Sequence, residues 1–253
     1  MTKIIMHGCN GKMGQVITGL CREDAEIEIV AGIDISNHIE NDYPVFQNIE
    51  TCDVEADVII DFASAGAVDG LLSYSRSRGI PIVLCTTGLS KEQNLAVAKT
   101  AEQVAILKSA NMSLGINMLL ELLQKAARTL APAGFDMEIV EKHHNLKVDA
   151  PSGTALALAD ALNHALEEDY TYQYDRTKER KRRGKQEIGI QAVRGGNIVG
   201  EHEVIFAGTD EVITFQHTAY SKGVFAKGAV EAAKFLKGKP AGLYNMQDVI
   251  AAK

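Results

Sequence analysis

Residues 141–155 read EKHHNLKVDAPSGTA. Two adjacent imidazoles, His143 and His144, come just before an ammonium, Lys147, and a Pro-Ser-Gly-Thr turn. An imidazole titrates near neutral pH and can pass a proton, and an ammonium can hold a carboxylate or steady a developing negative charge. Ser152, Gly153 and Thr154 precede the apolar run LALADAL, with Asp149 and Pro151 as the entry to that helix. A helix start with a bare glycine offers unpaired N–H groups to an anion. This set suits proton transfer to a small substrate that carries carboxylates. Neighbouring side chains on a strand face opposite ways, so both histidines reach one pocket only if the strand has ended there. His143, His144 and Asp149 lack the spacing of a helical zinc motif, and no metal is expected.

A second stretch, HGCNGKMGQ, follows the first apolar run and opens a helical pattern. Gly8, Gly11 and Gly14 are spaced GxxGxxG, a variant of the dinucleotide fingerprint. Gly8 permits a tight turn, Gly11 lets the backbone approach a pyrophosphate, and Gly14 lets the helix pack closely on the sheet. The loop Gly8, Cys9, Asn10, Gly11, Lys12, Met13 is the expected cofactor cradle. Asp34 ends the second apolar run, where a carboxylate accepts hydrogen bonds from ribose hydroxyls and repels the 2′-phosphate of NADP. No Lys or Arg follows in ISNHIEND to offset that repulsion, so NADH is expected to bind better than NADPH. DFAS (61–64), CTTG (85–88) and SANM (109–112) fall at later strand ends, where small residues leave room for a nicotinamide.

The elements that must position these groups follow from the apolar pattern. Up to about residue 114, short apolar runs (3–8, 27–34, 56–63, 80–88, 104–112) alternate with helical segments. Continuous apolar strands between helices imply a parallel sheet covered on both faces, the doubly wound α/β class with a Rossmann-type sheet. Residues 115–131 have helical periodicity and are long enough to bridge two domains. FDMEIVEKHH alternates as a half-buried strand, and 187–196, 197–208 and 210–219 read as strands joined by short turns. A second α+β domain with an antiparallel or mixed sheet is expected. The last helix is stopped by Gly238, with Pro240 beyond. The expected division is a dinucleotide-binding domain of residues 1–114 plus 221–253, and a substrate-binding and oligomerisation domain of residues 115–220.

The 253 residues carry a net charge of −7, which argues against nucleic acid or an anionic membrane as partner. No apolar run approaches the roughly 20 residues needed to span a bilayer, and the N-terminus has no signal-peptide layout. Cys9, Cys21, Cys52 and Cys85 form no CxxC pair and read as reduced thiols of a cytoplasmic protein. The basic run RTKERKRRGK (176–185) has no aromatic platform beside it and reads as a solvated loop, or as charge near an anionic substrate. The residues alone leave open a Rossmann oxidoreductase of another kind, such as an amino-acid dehydrogenase, or a non-catalytic NAD(P)-binding sensor.

The segment HHNLKVDAPSGTA resembles the signature of the dihydrodipicolinate (4-hydroxy-tetrahydrodipicolinate) reductases of lysine and diaminopimelate biosynthesis. The resemblance extends to GCNGKMG, DFAS, CTTGLS, SANMSLGIN, AVRGGNIVGEHEVIFAG and GLYNMQDVI. It implies an NAD(P)H-dependent enzyme in which His143 is the general acid or base and Lys147 the second catalytic residue. His144, Ser152, Gly153 and Thr154 would bind substrate carboxylates, with Thr87 a further substrate contact. Cofactor contacts would fall on residues 8–13, Asp34, Cys85, Thr86, Thr87, Ser109, Ala110, Asn111 and Met112. The resemblance also implies hydride delivery to C4 of the ring, domain closure and a homotetramer. The chain departs from the family at Cys85, where glycine is usual, at Lys222, where arginine is expected, and in lacking a basic neighbour to Asp34.

Overall fold

The computed structural model describes residues 1–177 and 180–252. In chain order its elements are β1 Thr2–His7, α1 Lys12–Arg22, β2 Ile27–Ile33, β3 Val45–Phe46, β4 Val58–Asp61, α2 Val68–Arg78, β5 Ile82–Leu84, α3 Lys91–Ala101, β6 Ala105–Lys108 and α4 Leu114–Leu130. They continue with β7 Asp136–His143, α5 Gly153–Asn163, β8 Thr171–Gln173, β9 Glu187–Arg194, β10 Gly200–Ala207, β11 Val212–Ala219, α6 Gly223–Leu236, β12 Gly242–Tyr244 and α7 Met246–Ala251. The chain divides into two compact units, residues 1–114 with 223–253, and residues 115–222.

The first unit is a doubly wound α/β layer around a parallel sheet of order β12-β6-β5-β4-β1-β2-β3. Its central strands are apolar at nearly every position because both faces are covered. Ile4, Met6, Val58, Ile60, Val83 and Leu107 pack with Ile17 of α1 and Ala229, Val230 and Ala233 of α6. Ile5, Ile59, Ile82, Leu84 and Ile106 pack on the other face with Leu71 of α2 and Val97 of α3. The C-terminal segment therefore completes this unit: α6 covers one face and β12 extends the edge beside β6. Lys234 of α6 bonds Asp24 (2.6 Å) and Glu26 (2.8 Å) in the turn after α1.

The second unit carries a mixed sheet of order β11-β10-β7-β9-β8. β7 lies antiparallel to β10 and parallel to β9. The short turn between β9 and β10 therefore does not make a hairpin; β7 lies between those two strands. Along β7 every second residue is buried, so Met137 and Ile139 face the core with Leu123, Leu158, Leu162, Ile190 and Phe206. The same alternation places Glu141 and His143 at the end of that buried face.

The parallel sheet and the second, mixed sheet agree with the sequence reading. The expected strands are shorter in the fold: 56–63 contracts to Val58–Asp61 and 80–88 to Ile82–Leu84, since the flanking residues turn away into strand-end loops. β3, β8 and β12 have two or three residues each, too few for a periodicity to appear. Part of the basic run, Lys178 and Glu179, lies outside the described residues. Arg176 and Arg183 of that run are held by Glu138, Glu187 and Asp136 rather than left as free cations. Among the described residues no helix is long and apolar enough to cross a membrane. No group of three or more His, Cys, Asp or Glu side chains among them is placed to hold a metal ion.

Candidate active site

Two regions, one in each unit, gather the residues singled out by sequence. In the first unit, Gly8 adopts φ 82°, a left-handed backbone, and a Cβ there would stand 2.8 Å from the carbonyl oxygen of Phe62. Gly14 is equally constrained, since a Cβ would overlap the carbonyl oxygens of Gly8 and Cys9. The N-cap of α1 is Gly11, which has no side chain to satisfy the first N–H groups of the helix. Gly8, Gly11 and Asp34 line a cleft of about 410 Å³ with Ile35, Phe62 and Ala63. Asp34 accepts from the backbone N–H of Asn10 and of Ser36, both at 3.0 Å, so its carboxylate is fixed at the rim. A bare-backbone helix start and an anchored carboxylate fit the pyrophosphate and ribose of a dinucleotide.

Not every residue of the expected cradle faces the cleft. The Cys9 side chain is buried in the core, and burial together with Asp34 pushes its thiol up to about 11. Asn10 is buried and braces Ser36 and Asn41. Lys12 is exposed, and Met13 packs against the core. Only the backbone of Cys9 is left to serve a ligand. Beneath the cleft, His7 Nδ1 lies 2.8 Å from Asp61 Oδ1 at the paired ends of β1 and β4.

A second depression in this unit, about 450 Å³, is lined by Cys85, Thr86, Thr87, Ser109 and Ala110 with Lys108 and Asn94. Two segments expected to meet a cofactor thus share one surface. Thr86 Oγ1 is buried without a hydrogen-bond partner, while Thr87 is exposed. Asn111 Oδ1 accepts from Ser113 N at 2.8 Å. The Met112 side chain belongs to the core, where its carbonyl oxygen lies so close to Gly228 that a Cβ would overlap it.

In the second unit the histidine segment becomes a cluster. β7 stops at His143, and His144 begins the loop, so the strand does end where the sequence reading required it to. His143 is buried and its Nδ1 lies 2.6 Å from Glu141 Oε2. Arg194, at the end of β9, grips the same carboxylate through both terminal nitrogens at 2.7 Å. The N–H of Ser152 donates to Glu141 Oε1 at 2.9 Å. Ser152 is the N-cap of α5 and accepts from Ala155 N, with Asp149 and Pro151 in the approach to it. Its Oγ also lies 3.1 Å from His202 Nε2, and the His202 ring meets His143 edge-on with centroids 5.1 Å apart. Lys147 pairs with Asp149 at 2.8 Å. His144 is half-buried with its Nδ1 unpartnered. Gly153 is exposed at the helix start, where a Cβ would meet no atom of the protein within 4 Å.

Burial and pairing set the charge states. Burial pushes the His143 imidazole below its ordinary value, and the Glu141 carboxylate partly offsets this. Burial opposes ionisation of Glu141, but Arg194, His143 and the Ser152 N–H outweigh it and hold the carboxyl below the usual range. Burial, followed by the neighbouring His143, lowers His202 to about 4, so it is neutral at pH 7. A buried imidazole on an ionised carboxylate, beside an ammonium and the start of α5, can deliver a proton to a bound dicarboxylate.

Glu141, Arg194 and His202 carried no signal of their own in the sequence. Alternation along β7 would have put Glu141 on the same face as His143, but its other partners come from the end of β9 and the start of α5.

Comparisons with known proteins show the family of the chain. A family model described as dihydrodipicolinate reductase, N-terminus, matches residues 2–112, and one described as dihydrodipicolinate reductase, C-terminus, matches residues 115–250. A 4-hydroxy-tetrahydrodipicolinate reductase of Caldanaerobacter subterraneus subsp. tengcongensis is 52% identical over 250 residues, covering 99% of this chain and 98% of that one. The protein of the same name from Clostridium novyi is 49% identical over 253 residues, covering all of both chains. The solved structure of a dipicolinate-bound dihydrodipicolinate reductase from Paenisporosarcina sp. TG-14 shares the fold, with a TM-score of 0.81 at 23% identity over 97% of each chain. On these matches, which run almost from end to end, the chain belongs to the dihydrodipicolinate reductase family.

Proposed function

We propose that the chain reduces 4-hydroxy-tetrahydrodipicolinate (dihydrodipicolinate) to tetrahydrodipicolinate with NADH, and less well with NADPH, in lysine and diaminopimelate biosynthesis. The observation that carries this reading is the start of α5. There Ser152 is tied to the carboxylate that holds His143, and Gly153 is demanded by neither backbone conformation nor neighbouring atoms. Space left open by a glycine beside a proton-passing imidazole is what an incoming carboxylate needs.

Loss of water from the 4-hydroxy form leaves a cyclic imine conjugated with a carbon–carbon double bond, and the nicotinamide, when bound, would supply hydride to C4 of that ring. His143 hands a proton to the ring as negative charge builds there. Lys147 leaves its surface pairing with Asp149 to steady that charge and hold a carboxylate. The N–H groups at Gly153 and Thr154, the Ser152 segment and His144 hold the carboxylates. In the first unit the backbone of residues 8–13 and Asp34 receive the dinucleotide, and Cys85, Thr86, Thr87, Ser109, Ala110, Asn111 and Met112 surround its nicotinamide end. Burial makes each charge interaction stronger than it would be in water. A homotetramer in the cytoplasm is the assembly we infer from family resemblance.

The test is a coupled assay in which pyruvate, aspartate semialdehyde and the upstream synthase generate substrate while NADH absorbance is followed. Synthase-dependent consumption is expected, and none would overturn the reading. His143→Gln should lower kcat roughly 10²-fold or more, the usual size of a lost general acid. A near-normal kcat would remove His143 from proton transfer.

A further inference from the structure

Glu141 has no part in the steps above, yet its side chain accepts four hydrogen bonds within the cluster. Its carboxylate is fully buried and accepts from His143 Nδ1, from both terminal nitrogens of Arg194 and from the backbone N–H of Ser152. Arg194 donates in addition to the carbonyl oxygen of Asp149, on the loop that carries Lys147. One carboxylate therefore touches the strand end that bears the imidazole and the helix start at Ser152. Through Arg194 it also reaches the lysine loop.

We propose that Glu141 is a positioning residue: it fixes the ring proton of His143 on Nδ1, so that Nε2 is the atom that exchanges the catalytic proton, and it holds the start of α5 in place with it. The proposal rests on the reading of His143 as proton donor. An ionised carboxylate only accepts hydrogen bonds, so Nδ1 must donate. The Nε2 edge borders Gly200, where a Cβ would stand 3.1 Å away, and glycine keeps that edge clear. Arg194 balances the Glu141 charge, so the imidazolium is supported without being trapped. The charged and titratable groups that face His143 are Glu141 on its own strand, Lys147 on the loop, Arg194 on β9 and His202 on β10. Of these, only Glu141 favours the protonated ring.

The full-length chain with Glu141→Gln, and with Glu141→Gln plus Arg194→Gln, tests this. The double variant removes both buried charges together, so neither is left uncompensated. Wild type, both variants and His143→Gln are compared by kcat and KM across about pH 5 to 9, and by ¹⁵N imidazole spectra, which report the tautomer. For both Glu141 variants kcat should fall about tenfold or more, as part of a general-acid contribution of roughly 10². The substrate KM should change less than kcat. The limb on which kcat declines with rising pH should move to lower pH, and the His143 tautomer should become mixed. In wild type the proton must sit on Nδ1, and an Nε2–H tautomer there overturns the proposal without any variant. If His143→Gln is impaired while the double variant keeps the wild-type kcat, limb and tautomer, Glu141 is only structural. A fully active His143→Gln would instead bring down the proton-donor reading, and this proposal with it.

Discussion

The glycine cleft of the first unit and the histidine cluster of the second, which we propose receive the dinucleotide and the dicarboxylate, are built of different materials. The cleft joins bare backbone at Gly8, Gly11 and an uncapped helix start to apolar side chains such as Ile35 and Phe62, with one carboxylate held by two N–H groups of the surrounding loops. Helix-end dipoles, which do not titrate, contribute to its field beside the Asp34 carboxylate. The cluster is nearly all ionisable side chain, with Glu141, His143 and His202 buried together and Arg194 closing the charge balance. Sterics should therefore govern the first region and pH the second.

The largest effect that sharpens this contrast is on stability. His202 is neutral in the fold down to about pH 4, whereas an unfolded histidine protonates near 6.5. Between those values the unfolded chain binds more protons, so stability rises with pH across the window. The contribution of neutral His202 is complete above 6.5 and lost as pH falls toward 4. A shift of this size corresponds to a few kcal/mol, on the order of 3. Urea unfolding followed by far-UV circular dichroism should show that slope in wild type, and His202→Gln should flatten it. An unchanged slope in the variant would mean that His202 does not titrate as a buried, neutral ring, and the contrast between the two regions would lose its main support.

Gly14→Ala attacks the other side of the comparison. The added methyl runs into the backbone of Gly8 and Cys9, which cannot turn aside as a flexible side chain could. Overpacking of this kind costs about 1–3 kcal/mol and should spread the loop that faces the cleft. Lower thermal stability and weaker NADH binding in a fluorescence titration are expected. The ¹⁵N imidazole spectrum of His143 should stay as in wild type. A variant that binds NADH normally would show that the tight contact of α1 with the loop is not what shapes the cleft.

The same difference in materials explains what the sequence could reveal. The glycine loop is local: β1, a left-handed Gly8 and a close-packed Gly14 lie within residues 2–14, so spacing alone exposes them. The linear half of the cluster was legible for the same reason, since His143, His144, Lys147 and the Ser152 turn follow one another. Glu141 was hidden because its role depends on the registers of β7 with β9 and β10, where His143 pairs with Arg194 and Glu141 with His202. The chemistry of the turn between β9 and β10 cannot show that those strands lie on either side of β7. Side-chain direction was hidden too: Cys9 and Met112 stand within segments expected to meet a cofactor, yet their side chains fill the core.

The smallest expected effect concerns Asp34, a charged side chain on the rim of the cleft that is held by backbone N–H groups. Both of its oxygens already accept backbone hydrogen bonds, from Asn10 and Ser36. A carboxylate so anchored cannot swing away from a 2′-phosphate, and Ile35, Ser36 and Asn37 supply no cation to offset it. Wild type should show a lower KM for NADH than for NADPH. Asp34→Ser should narrow that ratio about tenfold, equivalent to some 1.4 kcal/mol of lost discrimination. A variant in which both cofactors weaken equally would make Asp34 a brace between two loops and not a selector. A wild-type preference for NADPH would mean that a positive group from elsewhere reaches the ribose and outweighs the carboxylate.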